Sequence, residues 1–344
     1  MSFKCIELKN NEENKLESLE IGLTSWCNFR CSYCCAYQTE GSNFLSPDKI
    51  IDIIHDLPHL KRVKLSGGEV LGYFDECLQV INYCNSRGIA TQVNTNGSLL
   101  NRQKIRQLEK SGLNVLHFSL NFTNSQDFKK YYHVEEKVFH RIKNNIIIST
   151  QCSSMETVVE TILFKETENN MEEIYRFIYG LGVRKHEIQY GIPIDKKKWY
   201  EISSGDRLLA IIGLLTEIKE QDSKIFFSCI HLTPCSPIYQ KLKKNEDKTG
   251  VYFPSCIEGR KQLHLHNNGD ILICELGYPA VIGNVFTGTR LKDIFTHMPP
   301  ILKKFQESHH CGKNYTFSPN CSNIESLPIQ PIEDETNEKT YSAT

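Results

Sequence analysis

Cys27, Cys31 and Cys34 stand at Cys-x3-Cys-x2-Cys spacing directly behind the apolar run of residues 19–23. Three thiolates on so short a loop can converge on one metal centre, because thiolate is a soft, tightly binding ligand. A cubane iron–sulfur cluster has about four irons, so three cysteines would leave one iron free to chelate a small molecule and pass it an electron. Zinc is the competing occupant, with Cys35 as a fourth ligand, but zinc sites usually pair two Cys-x2-Cys knuckles or add histidines.

The rest of the composition narrows the setting. The chain has 344 residues, a net charge of −1 and 14 cysteines. Near-neutral charge gives no electrostatic reason to expect nucleic acid or an anionic membrane as partner. Residues 1–20 hold no apolar stretch typical of a secretory signal, and no run is long enough to span a bilayer, so a cytoplasmic protein is expected. In a reducing compartment, that many cysteines point to metal or redox chemistry before disulfides.

Along the chain, short apolar strands alternate with helix-period segments. Strands are expected at 19–23, 63–65, 89–93, 115–120, 158–164 and 186–190. Helices are expected between them, near 47–57, 77–86, 105–108, 138–148 and 171–179. Ser46-Pro47-Asp48 is a helix start with Ser46 as N-cap. Six such units predict parallel β/α crossovers forming about three-quarters of a barrel, with chemistry at the C-terminal strand ends. Beyond residue 200 the pattern changes: a helix at 203–219, a strand at 225–228, a charged stretch at 241–248, a hairpin around Asn267-Asn268-Gly269-Asp270 and a short helix at 291–295. The fold class expected is α/β, a partial (β/α)6 barrel followed by a small α+β auxiliary-cluster domain. Its expected divisions are an extension at 1–18, the barrel at 19–200, a bridge at 201–250, the small domain at 251–322 and an acidic tail at 323–344.

Gly67-Gly68-Glu69 follows the second strand. Two glycines let a backbone approach a ligand closely, and the carbonyls and the Glu69 carboxylate can accept from an ammonium group. Cys256, Cys274, Cys311 and Cys321 form a second constellation, in which four thiolates would complete a [4Fe-4S] cluster with no open iron, or a zinc site. His309 and His310 beside Cys311 are further candidate ligands.

The cysteine triplet, with Tyr33 just before its third member, resembles the radical S-adenosylmethionine (radical SAM) enzymes, and the resemblance extends over roughly residues 19–192. It implies that the open iron chelates the methionine moiety of SAM, and that reductive cleavage yields a 5′-deoxyadenosyl radical. It also implies cofactor contacts from Tyr33, Gly67, Gly68, Glu69, Asn96 and Ser119, and a flavodoxin- or ferredoxin-type electron donor as partner. Val70 stands where the family commonly has proline, and Asn121-Phe122 where it commonly has Asp-Gly. The C-terminal cysteines resemble the auxiliary "twitch" domain, a relative of SPASM, which implies two [4Fe-4S] clusters in all.

Cys229 and Cys235 lie at a strand end and its following loop. Radical SAM peptide epimerases return a hydrogen atom from such a thiol, which makes Cys235 the expected donor and Cys229 the second choice. Asp222 is a candidate acid near the substrate. The expected function is conversion of L- to D-residues in a ribosomally made precursor peptide. The alternatives are another radical SAM maturase forming a thioether or carbon–carbon crosslink, a small-molecule dehydrogenase, and a non-catalytic iron–sulfur sensor.

Overall fold

In β1 (Ser18–Thr24), Leu19, Ile21 and Leu23 are fully buried and alternate with Ser18, Glu20 and Gly22. That alternation sets the two faces of the whole sheet. A computed structural model describes residues 15–34, 44–190, 205–228, 237–254, 257–274 and 280–303. The strands that follow are β2 (Arg62–Gly67), β3 (Ala90–Thr95), β4 (Val115–Ser119), β5 (Glu156–Leu163), β6 (Lys185–Tyr190), β7 (Lys224–Ser228) and β8 (Val251–Tyr252). Each is parallel to its predecessor.

Helices fill the crossovers, among them Pro47–His55, Phe74–Ser86, Arg102–Lys110, Glu136–Ser149, Met171–Gly180 and Gly205–Ile218. The expected Ser46 cap is present, accepting from the Lys49 N–H. Helix residues such as Ile50, Val80, Ile105, Ile142 and Ile174 share one core with Leu19, Leu65, Leu116 and Val159 from the strands. The apolar strand face is therefore the one the helices cover.

The sheet runs further than six strands. β7 and β8 continue it past β6, and the hairpin of β9 (Gln262–His266) and β10 (Asp270–Leu272) joins its other side. β9 lies parallel to β1, with Ser18 opposite Gln262 and Gly22 opposite His266, and β11 (Val281–Asn284) closes that edge against β10. The α/β barrel class is as expected, and strands from both sides of the division expected near residue 251 belong to one sheet. The stretch 241–248, expected as a charged surface segment, lies within two short helices, Pro237–Lys244 and Glu246–Thr249. Gly269 turns the expected hairpin at φ +86°. Among the described residues, no helix is long and apolar enough to cross a membrane.

Candidate functional site

The cysteine loop leaves the C-terminal end of β1 and is fastened on both flanks. On one side the Gly68 N–H donates to the Thr24 carbonyl (2.7 Å) and the Glu69 N–H to the Trp26 carbonyl (2.7 Å). The paired glycines are what allow this. A Cβ on Gly67, whose φ is +127°, would lie 2.3 Å from the Thr24 oxygen, and one on Gly68 would lie 2.1 Å from the Trp26 oxygen. The close approach for which glycine is needed is thus to the cysteine loop itself. On the other side the Arg30 and Ser32 N–H groups donate to the Tyr132 and Tyr131 carbonyls, at 3.2 and 2.9 Å.

Cys27 and Cys31 are half-buried, Cys34 is exposed, and none is in a disulfide. Burial pushes the Cys27 thiol up to about 11 and the Cys31 thiol further, with neighbouring cysteine charges adding to both. Such sulfurs become thiolates only beside a compensating cation. The three do not form a group within 4.8 Å of one another, whereas ligands around one tetrahedral zinc sit about 3.8 Å apart.

Glu69 is fully buried, with its carboxylate turned inward. It accepts from Thr95 Oγ1 (2.6 Å), the Asn96 N–H (2.8 Å) and the Leu71 N–H (3.2 Å). Burial raises its pKa against those hydrogen bonds. In this arrangement Glu69 braces the ends of β2 and β3. Val70, in the position commonly held by proline, opens the 3-10 turn Val70–Tyr73 that Glu69 caps. Asn96 donates to Asn28 Oδ1 (2.9 Å), and Asn28 in turn donates to Ser98 Oγ (2.8 Å), so the β3 loop is tied to the cysteine loop. Ser119 ends β4 opposite Glu160 of β5.

Tyr33 packs into an aromatic cluster, with ring centroids 5.9 Å from Tyr132 and 5.2 Å from Phe164. Phe122 belongs to the same cluster and stacks on Tyr131 at 4.5 Å. Asn121 Oδ1 accepts from the Ile162 N–H (2.8 Å). The departure at Asn121-Phe122 therefore supports the platform beneath the cysteine loop.

Asp222 is placed differently from expectation. It precedes β7, at the N-terminal foot of the barrel, where Arg184 Nε lies 2.6 Å from its carboxylate and Tyr179 donates at 3.0 Å. The cysteine loop and the glycine pair stand at the opposite, C-terminal ends of the parallel strands. Cys77 and Cys84 are core residues. Cys274 is half-buried just beyond β10. Cys229, Cys235, Cys256, Cys311 and Cys321 lie outside the described residues.

The sequence reading missed the inner face of the sheet. Where a closed β/α barrel is filled by branched apolar side chains, this one turns Glu20, Lys64, Asn94, His117, Glu160 and Glu187 to the side away from the helices, as the register shows. They alternate along their strands with buried apolar residues such as Ile21, Leu65, Val93, Leu116, Val159 and Ile188. That interruption is the signal the sequence offered.

A lumen lined by polar groups thus lies below the cysteine triplet, with the glycine pair at the same strand ends. Residues 21–178 match the model of the Radical SAM superfamily, whose members use SAM and a [4Fe-4S] cluster. The chain is 24% identical over 340 residues to the protein YfkA of Bacillus subtilis (strain 168), covering 89% of this chain and 87% of that one. It is 24% identical over 200 residues to the tungsten-containing aldehyde ferredoxin oxidoreductase cofactor-modifying protein of Pyrococcus furiosus, covering 54% of this chain and 55% of that one. Its fold is similar to that of Streptococcus suis SuiB, solved bound to the precursor peptide SuiA. The TM-score is 0.68 at 16% identity, over 87% of this chain and 70% of that one.

Proposed function

We propose that this protein is a radical SAM peptide epimerase that converts L-residues to D-residues in a ribosomally made peptide. The observation that carries the radical chemistry is the position of the Cys27–Cys34 loop and the Gly67-Gly68 edge at one end of a polar lumen. Cys27, Cys31 and Cys34 would hold the [4Fe-4S] cluster, and the Gly67-Gly68 carbonyls would receive the methionine ammonium of SAM. Together the bound groups supply a 5′-deoxyadenosyl radical. The fold shared with SuiB supports a peptide as the molecule that enters.

This chain's own part is to seat the loop, to hold the substrate below it, and to return hydrogen. One hydrogen atom leaves a Cα, and the thiol of Cys235, or of Cys229, gives one back to the opposite face. The sulfur radical left behind takes up one electron and one proton to restore the thiol. The electron comes from a flavodoxin- or ferredoxin-type donor, and Cys256, Cys274, Cys311 and Cys321 would hold an auxiliary [4Fe-4S] cluster on its route.

The test is incubation of the reconstituted enzyme with candidate precursor peptide and SAM in deuterated water. Epimerisation leaves a single deuterium at a residue that has become D. Loss of two hydrogens instead would mean crosslinking or dehydrogenation. Full epimerisation by Cys235→Ala would remove that residue as donor.

A further inference from the structure

Five ionisable side chains meet inside the barrel: Glu20 of β1, Lys64 of β2, His117 of β4, Glu160 of β5 and Glu187 of β6. Lys64 Nζ lies 3.5 Å from Glu20, and His117 Nε2 lies 3.1 Å from Glu187 Oε2. The neighbouring pair on the β9 side, His264 with Glu258, is closed at 2.8 Å. Glu160 is different. Its carboxylate sits within 4.8 Å of the His117 and Glu187 ligand atoms, yet it forms no hydrogen bond or ion pair with any described residue. Three carboxylates face two cations, so the layer is one positive charge short.

Glu160 is half-buried, and a carboxylate crowded by two others in a partly desolvated lumen favours a proton or a cation beside it. We propose that the lumen binds an alkylammonium or guanidinium group of the substrate, with Glu160 as its counter-charge. This rests on the reading of the lumen as the substrate cavity, and it names the chemistry that cavity selects. A single organic cation matches the deficit of one. A divalent metal matches it less well, because Lys64 already stands in the cluster and the Glu187 contact favours the protonated, lone-pair-free form of His117. Burial, Glu187 and Glu20 raise the Glu160 carboxyl above the ordinary range while His117 opposes them. An arriving cation therefore displaces a proton, and binding strengthens as pH rises.

The experiment is calorimetry on the full, reconstituted chain with SAM, using N-acetyl-lysine methylamide and N-acetyl-norleucine methylamide as probes in buffers of different protonation heat. The lysine probe is expected to bind about tenfold tighter than the norleucine probe and to release a proton. Glu160→Gln, with its fold checked by circular dichroism, is expected to abolish both the preference and the release. Glu156→Gln, at the foot of β5, is expected to keep both. Equal binding of the two probes, or a preference that survives Glu160→Gln, overturns the proposal. So does stoichiometric Mn2+ binding that His117→Gln abolishes, which would make the cluster a metal site. A failed deuterium experiment with lysine-probe binding intact would remove the epimerase reading and leave this one standing.

Discussion

The Glu69 N–H reaches the Trp26 carbonyl at 2.7 Å, across a point where a Cβ on Gly68 would stand 2.1 Å from the same oxygen. The glycine pair is thus a seat for the cysteine loop, and on the proposed reading an edge for the cofactor as well. Gly68→Ala must push the loop away from β2, and a displacement near an ångström at a reacting centre costs about 100-fold in rate. SAM cleavage is expected to fall by about that factor, with iron content lowered and the circular dichroism spectrum unchanged. Gly180→Ala, at the end of a helix with nothing within 4 Å, should leave cleavage intact and add a few tenths of a kcal/mol of stability, up to about 1 kcal/mol.

Glu69→Gln tests the internal brace. The carboxylate receives three donors, and an amide puts an NH2 group where one oxygen stood. A buried donor left facing another donor costs about 1–3 kcal/mol. Urea denaturation should show a loss of that size, and the SAM affinity should fall with it because the β3 loop loses its anchor.

The linear motifs were legible because a short loop needs no partner strand to be recognised. The cysteine spacing, the Gly-Gly pair and the hairpin at Gly269 all survive in the folded chain. The lumen was not legible in the same way. Glu160 sits in a run of valine, threonine, isoleucine and leucine that reads as a buried strand, and its meeting with His117 and Glu187 depends on registers between three strands. The place of Asp222 was hidden for a related reason: nearness in sequence says nothing about which end of a parallel strand a residue occupies. The shared sheet of barrel and hairpin was equally hidden, since nothing local announces that β9 lies beside β1.

The His117–Glu187 pair should leave its mark on stability against pH. Burial alone would lower the His117 pKa, but the hydrogen bond and charge of Glu187 outweigh it and the net shift is upward. Glu187 moves the other way, held down by His117 against its own burial. A raised histidine stabilises the fold fully below its ordinary value and loses that effect as pH rises through the folded value. A lowered carboxylate is stabilising above its ordinary value and loses the effect as pH falls. His117→Gln should therefore cost about 2 kcal/mol near pH 6, the size of one hydrogen bond between charged groups, and the gap from wild type should close in alkaline buffer. A gap that stays constant across that range would show that the pair is neutral in the native state.

Iron content separates one cluster from two. Cys274 stands half-buried just past β10, and β10 is tied through β9 to β1, whose C-terminal end carries the first triplet. A cluster held there would share a single sheet with the radical generator, and neither need depend on the other for its seat. Reconstituted wild-type protein is expected to hold about eight irons per chain. Cys274→Ala should reduce this to about four while leaving SAM cleavage in place. Cys27→Ala should also reduce it to about four, but with cleavage abolished. About four irons in the wild type, unchanged by Cys274→Ala, would remove the auxiliary cluster. Zinc found at one equivalent alongside those four would assign the C-terminal cysteines to a structural site with thiolate ligands.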